Sequence, residues 1–487
     1  MLADRSNGSR QNTWTGSSCH YPIHRLPCEL LVEIFSFCSS TGLCISGGEY
    51  PISNSLHLAQ TCSRWRTICL TSPTLWNEIT ANLVDVNAND ARLIELYLRY
   101  SRDMPLMLTI SDIEFYDEGK PVHAEELEEV SWNILASLTA ACRRWARVSI
   151  DMNWQFLEGH RGAFSFANVG FPVTFPLLEY LSIHWDPIGS IVKFNKSNAL
   201  LDQLALAGNV RQLELLSYNS AIPISLKKLT RITVRALTHT AFHKLLSECV
   251  CVEYIAVDHY VLSEQTCDIF STSSSLQNLR LSFEPLDTPE YPKIGQFFHS
   301  IALPCLKELH FQATCTEFIM DNLIDMLHRS GCARGLVKLS LNAIVKDTDL
   351  LNLFKLTPNL QTLMLHPHVP ITDHLFSGLT LPTAEASTKE ALLPHLDHLF
   401  VACRAFSGPL ASLSLNMLGS RCIMASVPKS LQSFTLHLPL DCRHFVDGLF
   451  LHKLHSLSVA GLSSNLAPLP SPHWTGSQKT GGHRRAL

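Results

Sequence analysis

The sequence predicts a mixed α/β chain in two main parts. A small unit of three short helices spans residues 21–80, and an irregular solenoid with one strand plus one helix per repeat spans 145–462. Two observations carry this prediction. Apolar residues recur at spacings of three and four between Leu26 and Cys38 and between Leu58 and Cys69, the period of one helix face. From residue 145 onward a six-residue pattern, apolar-x-x-apolar-x-apolar, returns again and again, and self-similarity of this kind marks a stacked array.

The helices can be justified in order. Leu26-Pro27 opens the first, because proline is tolerated at a helix start, and Glu29 and Glu33 lie early, where the helix dipole favours acids. Leu30, Leu31, Ile34, Phe35 and Cys38 follow as an apolar stripe. In the second helix Leu58, Cys62, Trp65 and Cys69 repeat by four, three and four, and Pro73-Thr74-Leu75-Trp76 starts a third. Such a unit is too small to build a sufficient core alone. Part of its apolar surface has to meet something else.

These residues resemble the F-box. The matching positions are Leu26-Pro27, Glu29, Leu31, Ile34-Phe35, Leu58, Cys62, Trp65-Arg66, Leu70 and Pro73-Thr74-Leu75-Trp76, with a variable insert over 39–54. The pattern is most similar to the F-box-like proteins of fungi. The resemblance implies a substrate-recruiting subunit of a cullin-RING ubiquitin ligase, in which the helices dock on a Skp-type adaptor that tethers them to the cullin. Catalysis would belong to the E2 enzyme and the RING subunit. The residues it implies for adaptor contact are Leu26, Pro27, Leu30, Leu31, Ile34, Phe35, Leu58, Cys62, Trp65, Leu75 and Trp76.

Composition narrows the partners. Of 487 residues 46% are hydrophobic and only 17% charged, so most of the chain should fold around a core. The net charge is −5 and no basic stripe is visible, which argues against nucleic acid as the partner. The 16 cysteines are irregularly spaced, without C-x-x-C; buried free thiols explain them better than zinc or disulfides. No signal-peptide core and no bilayer-length apolar run occur. The expectation is a cytoplasmic or nuclear protein with no membrane partner. Residues 1–20 and 463–487 read as disordered tails.

Copies of the six-residue pattern begin at Trp145, Leu178, Val210, Leu229, Val252, Leu276, Leu306, Leu336, Leu360, Leu396, Leu431 and Leu454. Their spacing runs from 19 residues (Val210 to Leu229) to 36 (Leu360 to Leu396), centred on the repeat length that leucine-rich repeats show. The asparagine that commonly follows the leucine run is sporadic, as at Asn219, which favours an irregular array. Residues 81–144 read as first, atypical repeats packed on the helices.

Motifs for nucleophilic, phosphate-binding or metalloprotease chemistry are missing, so no enzyme activity and no cofactor are expected. His366 with His368 and His395 with His398 lack a third metal ligand. Binding is expected instead on the concave strand face, where residues alternating with the apolar positions point outward. Its middle would display Gln212, Glu214, Arg231, Arg235, Tyr254, Asp258, Arg280, Glu308, His310 and Lys338, and its end His366, His398, Phe400 and His437. Arg231, Arg235, Tyr254, Arg280, His310 and Lys338 are the candidate contacts for a target protein. As a basic track they suit an acidic or phosphorylated segment, unless Glu214, Asp258 and Glu308 neutralise them. The alternative function is a repeat scaffold that keeps the helices as a cap and joins no ligase; a hydrolase would need a pocket of paired titratable groups, and no pair stands out.

Overall fold

Each six-residue copy that becomes a strand buries its apolar positions and leaves most of the intervening ones partly or fully exposed, Ser182, Ala256, Ser340 and Asp397 being buried as well. In Leu276-Gln-Asn-Leu279-Arg-Leu281 the three leucines are buried, while Asn278 is half-buried and Arg280 exposed, the alternation a pleated strand imposes. The computed structural model describes residues 22–46, 50–115, 121–123, 126–152, 174–184, 207–218, 226–261, 269–283, 294–317, 320–382, 391–423, 431–446 and 448–469. The predicted N-terminal tail, Asn219 and residues 470–487 lie outside them.

The strands come in chain order. β1 (Leu43–Ile45), β2 (Ile52–Ser53), β3 (Glu78–Asn82) and β4 (Leu106–Ser111) begin the main sheet. β5 (Ile113–Phe115) and β6 (Pro121–His123) form a separate antiparallel pair. β7 (Trp145–Asp151), β8 (Tyr180–His184), β9 (Gln212–Ser217), β10 (Arg231–Thr238) and β11 (Tyr254–Val261) continue the main sheet. β12 (Ser271–Thr272) pairs only with β14 (Ile301–Ala302), and β13 (Asn278–Phe283) lies between them in sequence. β15 (Glu308–Glu317), β16 (Lys338–Ile344), β17 (Thr362–Leu365), β18 (His398–Ala402), β19 (Ser433–Leu438) and β20 (Ser463–Pro468) complete a sheet of 16 strands. From β3 to β20 every neighbour in it is parallel and follows chain order.

Parallel neighbours need a crossover, and most of those that lie within the described residues are helices; between β9 and β10 the described residues show only the 3-10 turn Leu226–Lys228. The helical unit holds α1 (Cys28–Cys38), α2 (Asn54–Thr61) and α3 (Ser63–Thr71). Later come α4 (Ala88–Tyr100), α5 (Glu129–Ala140), α6 (His239–Glu248), α7 (Ile294–His299), α8 (Met320–Ser330), α9 (Asp347–Leu356), α10 (Asp373–Leu379), α11 (Gly408–Ile423) and α12 (Gly448–Val459). None is long and apolar enough to cross a membrane, among the described residues. One contiguous core runs from Leu31 through to Leu462.

The register is held by a repeated backbone device just before each strand. The carbonyl of Gln277 accepts N–H bonds from Lys307 and Glu308, at 2.8 and 2.9 Å, and the carbonyl of Lys307 accepts from Val337 and Lys338, at 2.7 and 3.0 Å. Arginines tie neighbouring turns together in the same spirit. Arg421 is buried and donates to the carbonyls of Leu379, Leu393 and Leu392, at 2.8, 2.9 and 2.8 Å. Arg144 donates to Met104 and Leu98, and Arg329 to Phe298 and Ile301. Carbonyls at chain turns have no ladder partner, and a guanidinium can satisfy several at once.

Two expectations need correction. The copy beginning at Leu454 is helical: Phe450, Leu454 and Leu457 are buried at spacings of four and three on α12. A 454/457/459 pattern fits both readings, and Val459 is exposed. The strand after it is β20, whose polar sequence SSNLAP hides it; Ser463 donates to Gln432 at 2.8 Å and Leu469 to Leu438 at 3.0 Å. Ser463–Pro468 is therefore sheet, not disordered tail. Within the 39–54 insert, β1 and β2 begin the sheet, with β1 parallel to β3 and antiparallel to β2.

Candidate functional site

Helix α1 presents two apolar faces rather than one. Pro27 precedes it in an extended conformation (φ −53°, ψ 152°), and the Pro27 carbonyl accepts from Leu31 N at 3.2 Å. Leu31 and Phe35, four apart, point inward and are 0% and 1% exposed. Phe35 packs on Trp65 with ring centroids 4.8 Å apart. On the other side Leu30, Ile34 and Phe37 are 46%, 38% and 75% exposed, with Pro27 exposed beside them. Spacings of three, four and three put Pro27, Leu30, Ile34 and Phe37 in one line along the helix. Large apolar side chains lined up in water are the signature of a docking surface.

The surrounding bonds make this face rigid. Arg64 Nη2 donates to the Leu26 carbonyl at 2.7 Å, joining α3 to the entry of α1. Asn54 Nδ2 donates to the Cys38 carbonyl at 2.9 Å, joining α2 to its exit. Cys62 caps α3, its Sγ accepting from Trp65 N at 3.4 Å. Trp76 is buried, donates from Nε1 to the Cys69 carbonyl at 2.8 Å, and meets Tyr97 edge-on and Tyr100 at a tilt, both of α4, at 5.0 and 5.1 Å. Burial pushes the Cys69 thiol up to about 11, with Cys62 adding to the rise; this thiol is not a nucleophile.

The open face of the sheet is the second candidate surface. In its middle the charges are answered within the chain. The guanidinium of Arg231 lies over the Tyr254 ring at 3.9 Å, and that of Arg147 over Tyr180 at 4.6 Å. Glu214 accepts from the Tyr180 hydroxyl at 2.9 Å and meets His184 Nε2 at 3.4 Å; that imidazole holds its carboxyl below the usual range, with Tyr180 and Arg231 acting the same way against desolvation. Arg280 pairs with Asp258 at 4.0 Å and Lys338 with Glu308 at 3.7 Å. His310, opposite Arg280 on one side and Ser340 on the other, is pushed down to about 4 by burial, then by Lys338, Arg280 and His366.

Towards the C-terminal end the face turns aromatic. Phe400 stands 5.3 Å from the His366 ring and 4.9 Å from His437. His366 Nε2 is 3.0 Å from Ser340 Oγ, and burial pushes this imidazole down to about 4, with His437 and Arg280 contributing. His368 bonds Asn342 Oδ1 through Nδ1 at 2.9 Å and faces Arg404 through Nε2. A ring that donates at Nδ1 and accepts at Nε2 is neutral.

Residues 23–82 match the F-box-like family. No curated protein matches the chain. The match covers α1 to α3 and closes at the end of β3, so the F-box-like segment also contributes the first strands of the sheet. It suggests a role as an adaptor subunit of an F-box type ubiquitin ligase, since F-box domains generally bind Skp-type adaptors.

Within the F-box-like segment the structure divides the predicted contacts into three groups. Pro27, Leu30 and Ile34 are on the surface; Leu31, Phe35, Leu75 and Trp76 are in the core, and buried side chains offer a partner nothing. Leu26, Leu58 and Trp65 are half-buried against that core, and Cys62 is spent on a helix cap. The reason is length: α1 has 11 residues, and its apolar positions cover more than the arc that α3 can bury. Phe37 was missed by sequence reasoning, although it falls seven residues after Leu30 and three after Ile34. On the sheet, Arg231, Tyr254, Arg280, His310 and Lys338 do share one face, but as paired groups rather than a free basic track. Arg235 is exposed on the same strand as Arg231, four residues on and about 13 Å away by strand rise.

Proposed function

We propose that this chain is the substrate-recruiting subunit of an SCF-type cullin-RING ubiquitin ligase. The observation that carries the reading is the outward line of Pro27, Leu30, Ile34 and Phe37 on a segment that matches the F-box-like family. It would dock on a Skp-type adaptor and through it on the cullin, while the rows of parallel strands, taken as an irregular leucine-rich-repeat solenoid, would hold the target. The chain itself then performs no catalytic step and needs no cofactor; it raises the local concentration of target beside the E2 enzyme. Unpaired thiols throughout the described cysteines support a reducing compartment, cytoplasm or nucleus. A scaffold that merely capped its repeats with these helices would have buried the stripe, and half of it is open.

The test is co-purification of the full chain with a Skp-type adaptor. Leu30→Asp combined with Ile34→Asp places two charges in the proposed contact, and unlike a change at Leu31 it leaves the core alone. Adaptor binding is expected to be lost while the thermal unfolding profile stays that of the wild type. A folded double variant that still retains the adaptor would end this reading.

A further inference from the structure

The aromatic end of the open face has the makings of a recognition site, and its chemistry narrows the partner. Register places Met364 opposite Phe400, and Ala402 opposite His437. His366 follows Leu365, the partner of Val401, so it comes level with Ala402 from the other side. The small Ala402 side chain thus sits between two imidazoles that flank the Phe400 ring. Phe400 and Met364 are only half-buried. Together they make an apolar strip two strands wide on a face whose other residues are mostly polar.

Charge decides what this strip can accept. Strands β16, β17, β18 and β19 contain no aspartate or glutamate. On the neighbouring β15, Glu308 is taken by Lys338, and Asp397, which directly precedes β18, is buried. Arg404 and His398 are exposed on this end, and the described partner of Arg404 is the neutral His368 ring. Burial keeps His366, His368 and His437 below their ordinary titration range, so near pH 7 the rings act as flat, weakly polar surface. A cationic side chain would meet Arg404. An anionic neighbour of an apolar side chain would find a guanidinium within the same patch.

We propose that the open face of β16–β19 recognises an extended acidic segment carrying one aromatic or large aliphatic side chain, which lies over Phe400 and Met364 while flanking carboxylates meet Arg404 and His398. The proposal rests on the reading of the strand rows as the target-holding part of a ligase subunit, and it names the class of target. A central apolar anchor with charged contacts at its rim is the arrangement that concentrates binding energy in few residues. It is distinct from the middle of the face, where Arg231 lies over Tyr254 and Arg280 pairs with Asp258.

The experiment is selection of random phage-displayed peptides on the immobilised full-length chain, followed by fluorescence-polarisation titration of the enriched peptides. The expected winners carry Phe, Tyr, Trp or Leu with aspartate or glutamate nearby. Phe400→Ser should weaken them by about tenfold or more. Because Phe400 is partly packed, a second variant, His398→Glu with Arg404→Glu, changes exposed residues alone and should weaken them by a similar factor. Lys453→Ala, at an exposed position of helix α12, should stay within about twofold of wild type. Basic winners, winners insensitive to both site variants, or no enrichment at all would overturn the proposal. Co-purification with the Skp-type adaptor runs in parallel. Adaptor binding without acidic-peptide binding removes this site and leaves the ligase reading standing, and the reverse result removes the ligase reading while the site remains.

Discussion

Helix α1 and strand β13 each carry a run of apolar residues, and the chain uses them differently. In β13 and the residues leading into it, Leu276, Leu279 and Leu281 all go inward, and what faces out is polar: Asn278, Arg280, Ser282. In α1 the apolar set splits, Leu31 and Phe35 going in and Leu30, Ile34 and Phe37 staying out. A strand between two like strands consumes its apolar side chains in stacking. The short helix α1, packed on α2, α3 and the turn Pro73–Trp76, has one covered side only. Apolar residues in excess of what the fold can bury therefore mark the place where a second protein is expected, and the difference lies in surplus rather than in hydrophobicity itself.

The sharpest way to break this comparison is to truncate both sets. Phe35→Ala, Leu31→Ala and Leu279→Ala should each cost about 2–5 kcal/mol, since each leaves a cavity in a filled core. Leu30→Ala, Ile34→Ala and Phe37→Ala should each change stability by less than about 0.5 kcal/mol, as surface changes do. Denaturant titration of the six variants checks the division. Equal losses at Leu31 and Leu30 would mean that the two faces of α1 are not distinct.

How much of this was legible beforehand follows from which interaction encodes each feature. The strands could be read because their periodicity is local: LQNLRL, LKELHF and LVKLSL each specify an inside and an outside without reference to anything else. The F-box-like segment could be read because its spacings are fixed by helix geometry. The sidedness of α1 could not, because a stripe that includes positions 30, 31, 34 and 35 is wide enough to face two ways, and only the placement of Trp65 decides between them. β20 was hidden for the opposite reason: its sequence has one buried-type leucine, Leu466, and its place is set by backbone bonds to β19. The basic track failed on pairing. Asp258 and Glu308 lie one strand from Arg280 and Lys338, and that adjacency comes from register, which spacing alone leaves open.

A second prediction tests the buried side of the sheet by pH. His243 of α6 is held between Ser271 Oγ at 2.8 Å and Ser300 Oγ at 3.0 Å, next to His239. Burial, with His239 adding to it, pushes this imidazole down from 6.5 to about 4. The unfolded chain thus binds a proton below pH 6.5 that the folded chain refuses until about pH 4. Stability is unaffected by this group above pH 7, falls as the pH drops through that window, and levels off below it. The expected loss from His243 alone is about 2 kcal/mol at pH 5 and on the order of 3 kcal/mol below pH 4. His310 and His366 act in the same direction, so the wild type should be acid-labile beyond this amount. Urea titrations at pH 7 and pH 5 on the wild type and on His243→Gln separate the contribution. A variant that loses as much between the two pH values as the wild type would show that His243 is not the group responsible.

The smallest effect concerns the ion-paired middle of the open face. Arg280 and Asp258 are 4.0 Å apart and Lys338 and Glu308 3.7 Å, all four side chains being a third or more exposed. Pairs of that kind gain little, because water and salt screen them and two long side chains must be held still. Arg280→Ala and Lys338→Ala should each shift stability by less than about 0.5 kcal/mol, in contrast with the large loss at Leu279 one residue away. If the pairs are the internal neutralisation argued above, removing the cation leaves Asp258 or Glu308 unanswered and turns that stretch acidic. Adding salt should then restore part of the small loss, since screening now relieves repulsion instead of weakening an attraction. Denaturant midpoints measured at low and high sodium chloride for wild type and both variants give the answer. A loss at Arg280 comparable with that at Leu279 would place its side chain in the core, and the inward and outward faces assigned to β13 would have to be exchanged.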